Sequence, residues 1–179
     1  MRLRVELSVD DLVAFSLHHH QSSPTLKRSR VWAVIAIVVL TSTLSHIAGE
    51  LLKNPLLRPL GIAAAIFLAL VYPRIWRRKL EQYVRLLYRE GQNRGVLGTH
   101  SFEIVENGLL DATSYYERTV FWNGIERIET VPGRTFVYLS AVTAQVIPED
   151  SVREGNYSAF IDELHMQWLK HNDQQAPQS

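Results

Sequence analysis

The side chains that could do chemistry are few, and their spacing is informative mostly by what it excludes. Three consecutive histidines, His18, His19 and His20, invite a metal reading. Consecutive positions on a helix point about 100° apart, so one helix cannot converge all three rings on one ion. His46, His100, His165 or His171 would have to join them, and no HxxxH or HExxH spacing occurs. A solvated helix end is the expectation, with no metal site. The carboxylates Glu103, Glu106, Asp111, Glu117, Glu126, Glu129, Glu149 and Asp150 are scattered, and spacing alone pairs none of them. No G-x-S-x-G elbow, phosphate loop or dinucleotide fingerprint accompanies them. The chain has no cysteine, which removes disulfides and thiolate chemistry. No catalytic residue and no cofactor is expected, and the protein is read as a non-enzyme.

Arg118, Arg127 and Arg134 are interleaved with Phe121, Trp122, Phe136 and Tyr138. Such a pattern can stack bases, but 19 basic against 18 acidic residues leave a net charge of +1. No nucleic-acid partner is expected. The aromatics read as strand core, and the three arginines as candidate contacts for a partner or a lipid headgroup.

These residues hang on an uneven chain. Between Arg30 and Glu50 no charged side chain occurs, a length of about 28 Å as a helix against a hydrocarbon core of about 30 Å. A second apolar run, Pro59–Pro73, is extended by Ile75 and Trp76, while Arg58, Arg74 and Arg77 can snorkel. Buried in a soluble core, both runs would need covering on every side, and 179 residues leave little to do it with. A transmembrane helical hairpin over 31–76 is therefore expected. His46 lies about a turn from its outer boundary and reads as interfacial. Basic clusters at Lys27–Arg30 and Arg74–Lys79 place both ends of the hairpin in the cytoplasm. Trp32, Tyr72 and Trp76, with Arg74, Arg77 and Arg78, then serve as interface anchors. Small residues recur every fourth position: Thr41, Ser45 and Gly49 on the first helix, Gly61, Ala65 and Ala69 on the second. Such stripes let helices pack closely in lipid.

The flanks are differently patterned. Residues 1–30 begin with a strand (Leu3, Val5 and Leu7 alternating with polar residues) and a short helix behind a Ser8–Asp11 capping box. They are expected in the cytoplasm, packed with the C-terminal domain, and not to be a signal peptide. Residues 77–95 keep helical spacing and predict an amphipathic stalk ending near Gly91 or Gly95. From 96 to 171 the period becomes two, with about six strands. Turns are expected at Asn107-Gly108, Pro132-Gly133 and Ser140–Thr143, and a closing helix carries Phe160, Ile161, Leu164 and Trp168. Residues 172–179 read as a disordered tail. The fold class is an α+β membrane protein, a two-helix hairpin plus a small antiparallel sheet or barrel closed by a C-terminal helix.

"ENGLL" (Glu106–Leu110), "FWNGIERIETVPGRTFVYLS" (Phe121–Ser140) and "VIPEDSV" (Val146–Val152) resemble the YcxB-like family of bacterial membrane proteins. The matching positions are Trp122, Ile125, Ile128 and Pro148. The resemblance implies a two-span hairpin in the inner membrane and a pleckstrin-homology-like β-domain, and carries no catalytic residues. The expected function is a membrane-anchored binding, scaffolding or sensing module for an unidentified protein partner. Recognition of an anionic lipid headgroup, or a role in immunity or stress protection, are the alternatives. Expected partners are the lipid bilayer and that protein, with homo-oligomerisation also open.

Overall fold

In the computed structural model, which describes residues 1–91 and 93–173, the chain forms two compact units. One comprises residues 16–86. The other joins 1–15 to the described residues from 87 onward.

The second unit is built from both ends of the chain. Strand β1 (Arg2–Leu7) pairs antiparallel with β2 (Gly98–Val105), from Arg2↔Glu103 to Leu7↔Gly98. With β3 (Gly108–Ala112), β4 (Glu117–Phe121) and β8 (Val152–Glu154) they form a five-stranded sheet in the order β4-β3-β2-β1-β8. A three-stranded sheet, β5 (Arg127–Val131), β6 (Arg134–Tyr138) and β7 (Ala144–Pro148), completes the strands. A short 3-10 turn, Trp122–Gly124, precedes β5. Alternation in β1 buries Leu3, Val5 and Leu7 and leaves Arg2 and Arg4 outside, paired with Glu103 and Glu154.

Leu3, Val5, Phe102, Leu109, Val137 and Ile147 make one core with helix α4 (Tyr157–Asp173), which contributes Phe160, Ile161 and Leu164. Asn156 caps α4, its side-chain oxygen accepting from the Ala159 N–H at 3.0 Å. Two indoles fix the closure: Trp168 donates to the Ile125 carbonyl and Trp122 to the Glu106 carbonyl. Strand β6 is buried on both faces. Val137 faces this core, whereas Phe136 and Tyr138 face Leu12 and Phe15 of helix α1 (Val9–Ser22). The start of α1 is held by Asp11, whose carboxylate accepts from both the Ser8 N–H and the Ser8 hydroxyl.

In the other unit, α2 (Pro24–Leu51) and α3 (Leu57–Leu87) are each long and apolar enough to cross a membrane. At 1.5 Å per residue they are about 42 and about 46 Å long. Their apolar side chains point outward: Trp32, Leu40, Leu44, Leu60, Phe67 and Leu70 are each more than half exposed. Where the helices meet, the faces carry small residues. Gly49, Gly61 and Ala65 are buried, and the Ser45 hydroxyl donates to the Leu57 carbonyl. A Cβ at Gly61 would collide with the Ser45 side chain.

Several boundaries depart from the sequence reading. Helix α2 starts seven residues before Val31, with Pro24 in its first turn, where a missing N–H costs nothing. The stalk helix stops at Leu87 rather than Gly91 or Gly95, because Asn93 takes a left-handed conformation (φ 45°) and its amide donates to the Tyr88 and Gly91 carbonyls. The first hairpin turns at Glu106-Asn107, since Val105 pairs with Gly108. Gly108 lies in the strand, where a Cβ would strike the Val120 carbonyl. Helix α4 runs to Asp173 and so includes the start of the expected tail, whose residues 174–179 lie outside the described residues.

Leu3→Ala opens a cavity in a fully buried site and should destabilise the β-unit by ~2–5 kcal/mol. Denaturation of the full chain in detergent, followed by indole fluorescence, measures it, and Leu44→Ala should leave that transition in place. Gly61→Leu should force α2 and α3 apart. A cysteine pair introduced across Ser45 and Leu57 would then oxidise less readily than in the parent.

Candidate functional site

The inner face of the five-stranded sheet is apolar along most of its length and polar at one end. Ile104, Phe102 and His100 share that face on β2, as do Leu109 and Asp111 on β3 and Val120 and Arg118 on β4. His100 and Asp111 are 4% and 2% exposed. They meet diagonally across the strands, His100 Nδ1 lying 2.8 Å from Asp111 Oδ1. The other ring nitrogen, Nε2, is 3.2 Å from the Val96 carbonyl, which can only accept, so Nε2 carries a hydrogen. Nδ1 faces the carboxylate, so both ring nitrogens have a partner. His100 stacks on Phe102 at 5.9 Å, which fixes its ring plane.

The second carboxylate oxygen is also engaged. Tyr116 donates to Asp111 Oδ2 at 2.7 Å, and the Gln145 amide, from β7 of the other sheet, donates to it at 3.3 Å. Burial pushes the Tyr116 phenol above its ordinary value of 10.0, and the Asp111 hydrogen bond and charge add to this. Both oxygens of the Asp111 carboxylate are thus engaged, Oδ1 by His100 and Oδ2 by Tyr116 and Gln145. The cluster ties the two sheets together, since Gln145 reaches it from β7.

One polar atom remains. Because the Gln145 Nε2 must face Asp111, its Oε1 is turned away, buried and without a hydrogen-bond partner. Beside it lies a cavity of about 240 Å³ lined by Leu7, Leu12, Val96, His100, Tyr116 and Arg118. Arg118 is exposed at its mouth. The site can bind by hydrogen bond and charge.

The three arginines singled out in the sequence do not share one environment. Arg118 lies on the edge strand β4. Arg127 and Arg134 sit at opposite ends of the β5–β6 hairpin, opposite Tyr138 and Val131. Arg134 pairs with Asp11 at 3.5 Å, and Arg127 bonds Glu129 at 2.7 Å with its guanidinium 3.5 Å from the Tyr138 ring. In the helical unit His20 packs on Trp76 at 5.1 Å, and the Arg30 guanidinium lies 5.0 Å over the same ring. Partial burial lowers the His20 pKa from 6.5, with His19 and Arg30 adding to it. Among the described residues no group of three His, Asp or Glu side chains could hold a metal. Trp32 is exposed, as are Arg74, Arg77 and Arg78, whereas Tyr72 and Trp76 are partly buried. Thr41 bonds back to the Ile37 carbonyl at 2.7 Å, and Ala69 borders a groove between the helices.

The His100–Asp111–Tyr116–Gln145 cluster was not assembled from the sequence. Its signal was there as polar residues at inward positions of alternating strands, His100 before Phe102 and Asp111 after Leu109. Comparison with protein families, characterised proteins and solved structures found no match to the chain.

Keeping Tyr116 protonated stabilises the fold, fully below pH 10.0, and this contribution is lost as pH rises above that value. Stability of the full chain should therefore fall between pH 9.5 and 11.5 (roughly the window opened by the raised phenol). Tyr116→Phe should be flatter there, as read from denaturation midpoints at each pH.

Proposed function

We propose that the chain is a bacterial inner-membrane protein whose β-unit, similar in expectation to a pleckstrin-homology-like domain, recruits a protein partner in the cytoplasm without catalysing a reaction. The observation that carries this reading is the pair of long helices with uncovered apolar surfaces, continuous in sequence with a well-packed β-unit. Exposed apolar surface on this scale is unstable in water and satisfied by lipid. Basic residues at Lys27–Arg30 and Arg74–Lys79 support a cytoplasmic location for both ends. The pairing of β1 with β2 supports both ends lying on one side, whichever that is, because strands before and after the hairpin join one sheet only if it crosses an even number of times.

The free edge of β4 is the contact surface. Its outward backbone groups can pair with an extended segment of a partner, as in strand addition. An added strand would place alternate side chains on the inner face, about 4.5–5.5 Å from Arg118 in directly opposed pairs. A carboxylate there would pair with Arg118 at the mouth of the cavity. The quoted resemblance to YcxB-like proteins supports the same layout.

Two measurements test this. The protein should stay with membranes after an alkaline carbonate wash. A photo-crosslinking residue at Thr119 should give a discrete adduct in cells that weakens in the Arg118→Glu background. Adducts at Thr119 that do not respond to Arg118, or match those from Arg153 on the far side of the sheet, would remove the β4 edge as the contact surface.

A further inference from the structure

We infer that the groove between α2 and α3 at the basic end of the hairpin holds the acyl chain of one anionic phospholipid, with its phosphate on Lys27 and Arg30. The two helices touch through Gly61, Ala65 and Ser45 toward the connecting loop. Toward the other end they leave a groove of about 570 Å³. Val31, Val34 and Ile35 line one wall, and Ala69, Tyr72 and Pro73 the other. That volume is in the range of small-ligand sites, roughly 300–1,000 Å³. The inference rests on the membrane reading above.

Within a bilayer such a groove does not stay empty, and only an acyl chain or another helix is available to fill it. Charge decides between them. The rim carries Lys27, which is exposed, and Arg30, whose Nε is buried without a hydrogen-bond partner. Another nitrogen of Arg30 donates to the His20 carbonyl at 2.7 Å, and the guanidinium lies over Trp76, so its orientation is set before any ligand arrives. Over their apolar lengths the two helices bring no carboxylate to these cations: residues 24–49 and 57–80 contain neither Asp nor Glu. A second copy of the hairpin would bring Lys27, Arg30, Arg74, Arg77, Arg78 and Lys79 to the same depth, cation against cation. An anionic phospholipid brings its charge to the rim and its chain to the groove. Tyr72 borders the rim, where an aromatic with a polar tip suits the headgroup level.

The test uses the full chain in nanodiscs of phosphatidylethanolamine and phosphatidylglycerol, released into native mass spectrometry. The parent should retain one phosphatidylglycerol in preference to phosphatidylethanolamine. K27Q/R30Q should lose that preference. Ala69→Phe, which fills the groove and leaves both cations in place, should lose the retained lipid altogether. K53Q, at the other end of the hairpin, should behave as the parent. Retention without headgroup preference, equal retention by K27Q/R30Q, or a dimer without lipid would each overturn the inference. Release of the protein by alkaline carbonate would instead overturn the membrane reading, and is read before any lipid is counted.

Discussion

The pairing of β1 with β2 is the constraint on which the rest of the molecule depends. Six residues at the start of the chain occupy an inner position of a five-stranded sheet, between a strand that follows the hairpin and β8, near the end. Leu3 and Val5 sit at the centre of the core, so the β-unit cannot bury its interior until the N-terminus has returned to it. Some ninety residues separate Leu7 from Gly98, and closing that loop costs entropy that grows only slowly with length. A compact helical hairpin in the interval lowers that cost, because its two ends emerge together. The helical unit and the β-unit are thus coupled through chain connectivity.

The same sheet explains why its polar end is a site and not a defect. Burying a carboxylate and an imidazole is expensive unless each is paired and hydrogen-bonded. Here each oxygen of Asp111 and each ring nitrogen of His100 has a partner within 3.3 Å, drawn from β3, β2, β7 and the segments beside them. The expense falls on Gln145, whose oxygen is left facing the cavity. A group so placed is satisfied by water or by a ligand donor. With Arg118 exposed nearby, the cavity has one buried acceptor and one cation at its mouth.

Much of this was legible in the sequence, and the parts that were not have physical reasons. Alternation in Leu3–Leu7 and the period-two pattern after Thr99 identify strands because one face of each is buried. The apolar runs identify the hairpin helices because nothing in the chain could cover them. The first hairpin was misread by its turn. Placing Asn107-Gly108 in the loop puts Asp111 opposite Ile104, two steps from His100. The actual turn at Glu106-Asn107 puts Asp111 opposite Phe102 and brings His100 within a diagonal contact. The glycine that suggested the turn is needed for another reason, the approach of the Val120 carbonyl from β4. A local signal was overridden by a strand not yet paired. The stalk failed in the same way, since the conformation of Asn93 depends on where its amide finds carbonyls, which helical periodicity does not encode.

In the bilayer proposed for it, the hairpin divides two tasks along its length. At one end small residues give close backbone approach, and the Ser45 hydroxyl reaches across to the Leu57 carbonyl. At the other end the groove opens between Val31, Val34 and Ile35 on one helix and Ala69, Tyr72 and Pro73 on the other. If the whole contact were built of small residues, the helices would seal and the basic residues would meet only bulk headgroups. If none were, the hairpin would have no fixed partner face, since apolar side chains in lipid gain little by choosing one another. A tight end that fixes the pair and an open end that admits a neighbour is therefore a consistent design. The open end carries Arg30 already oriented by Trp76 and His20. Lipid composition at that rim would act on α2 and α3 directly, within the unit that joins β1 to β2.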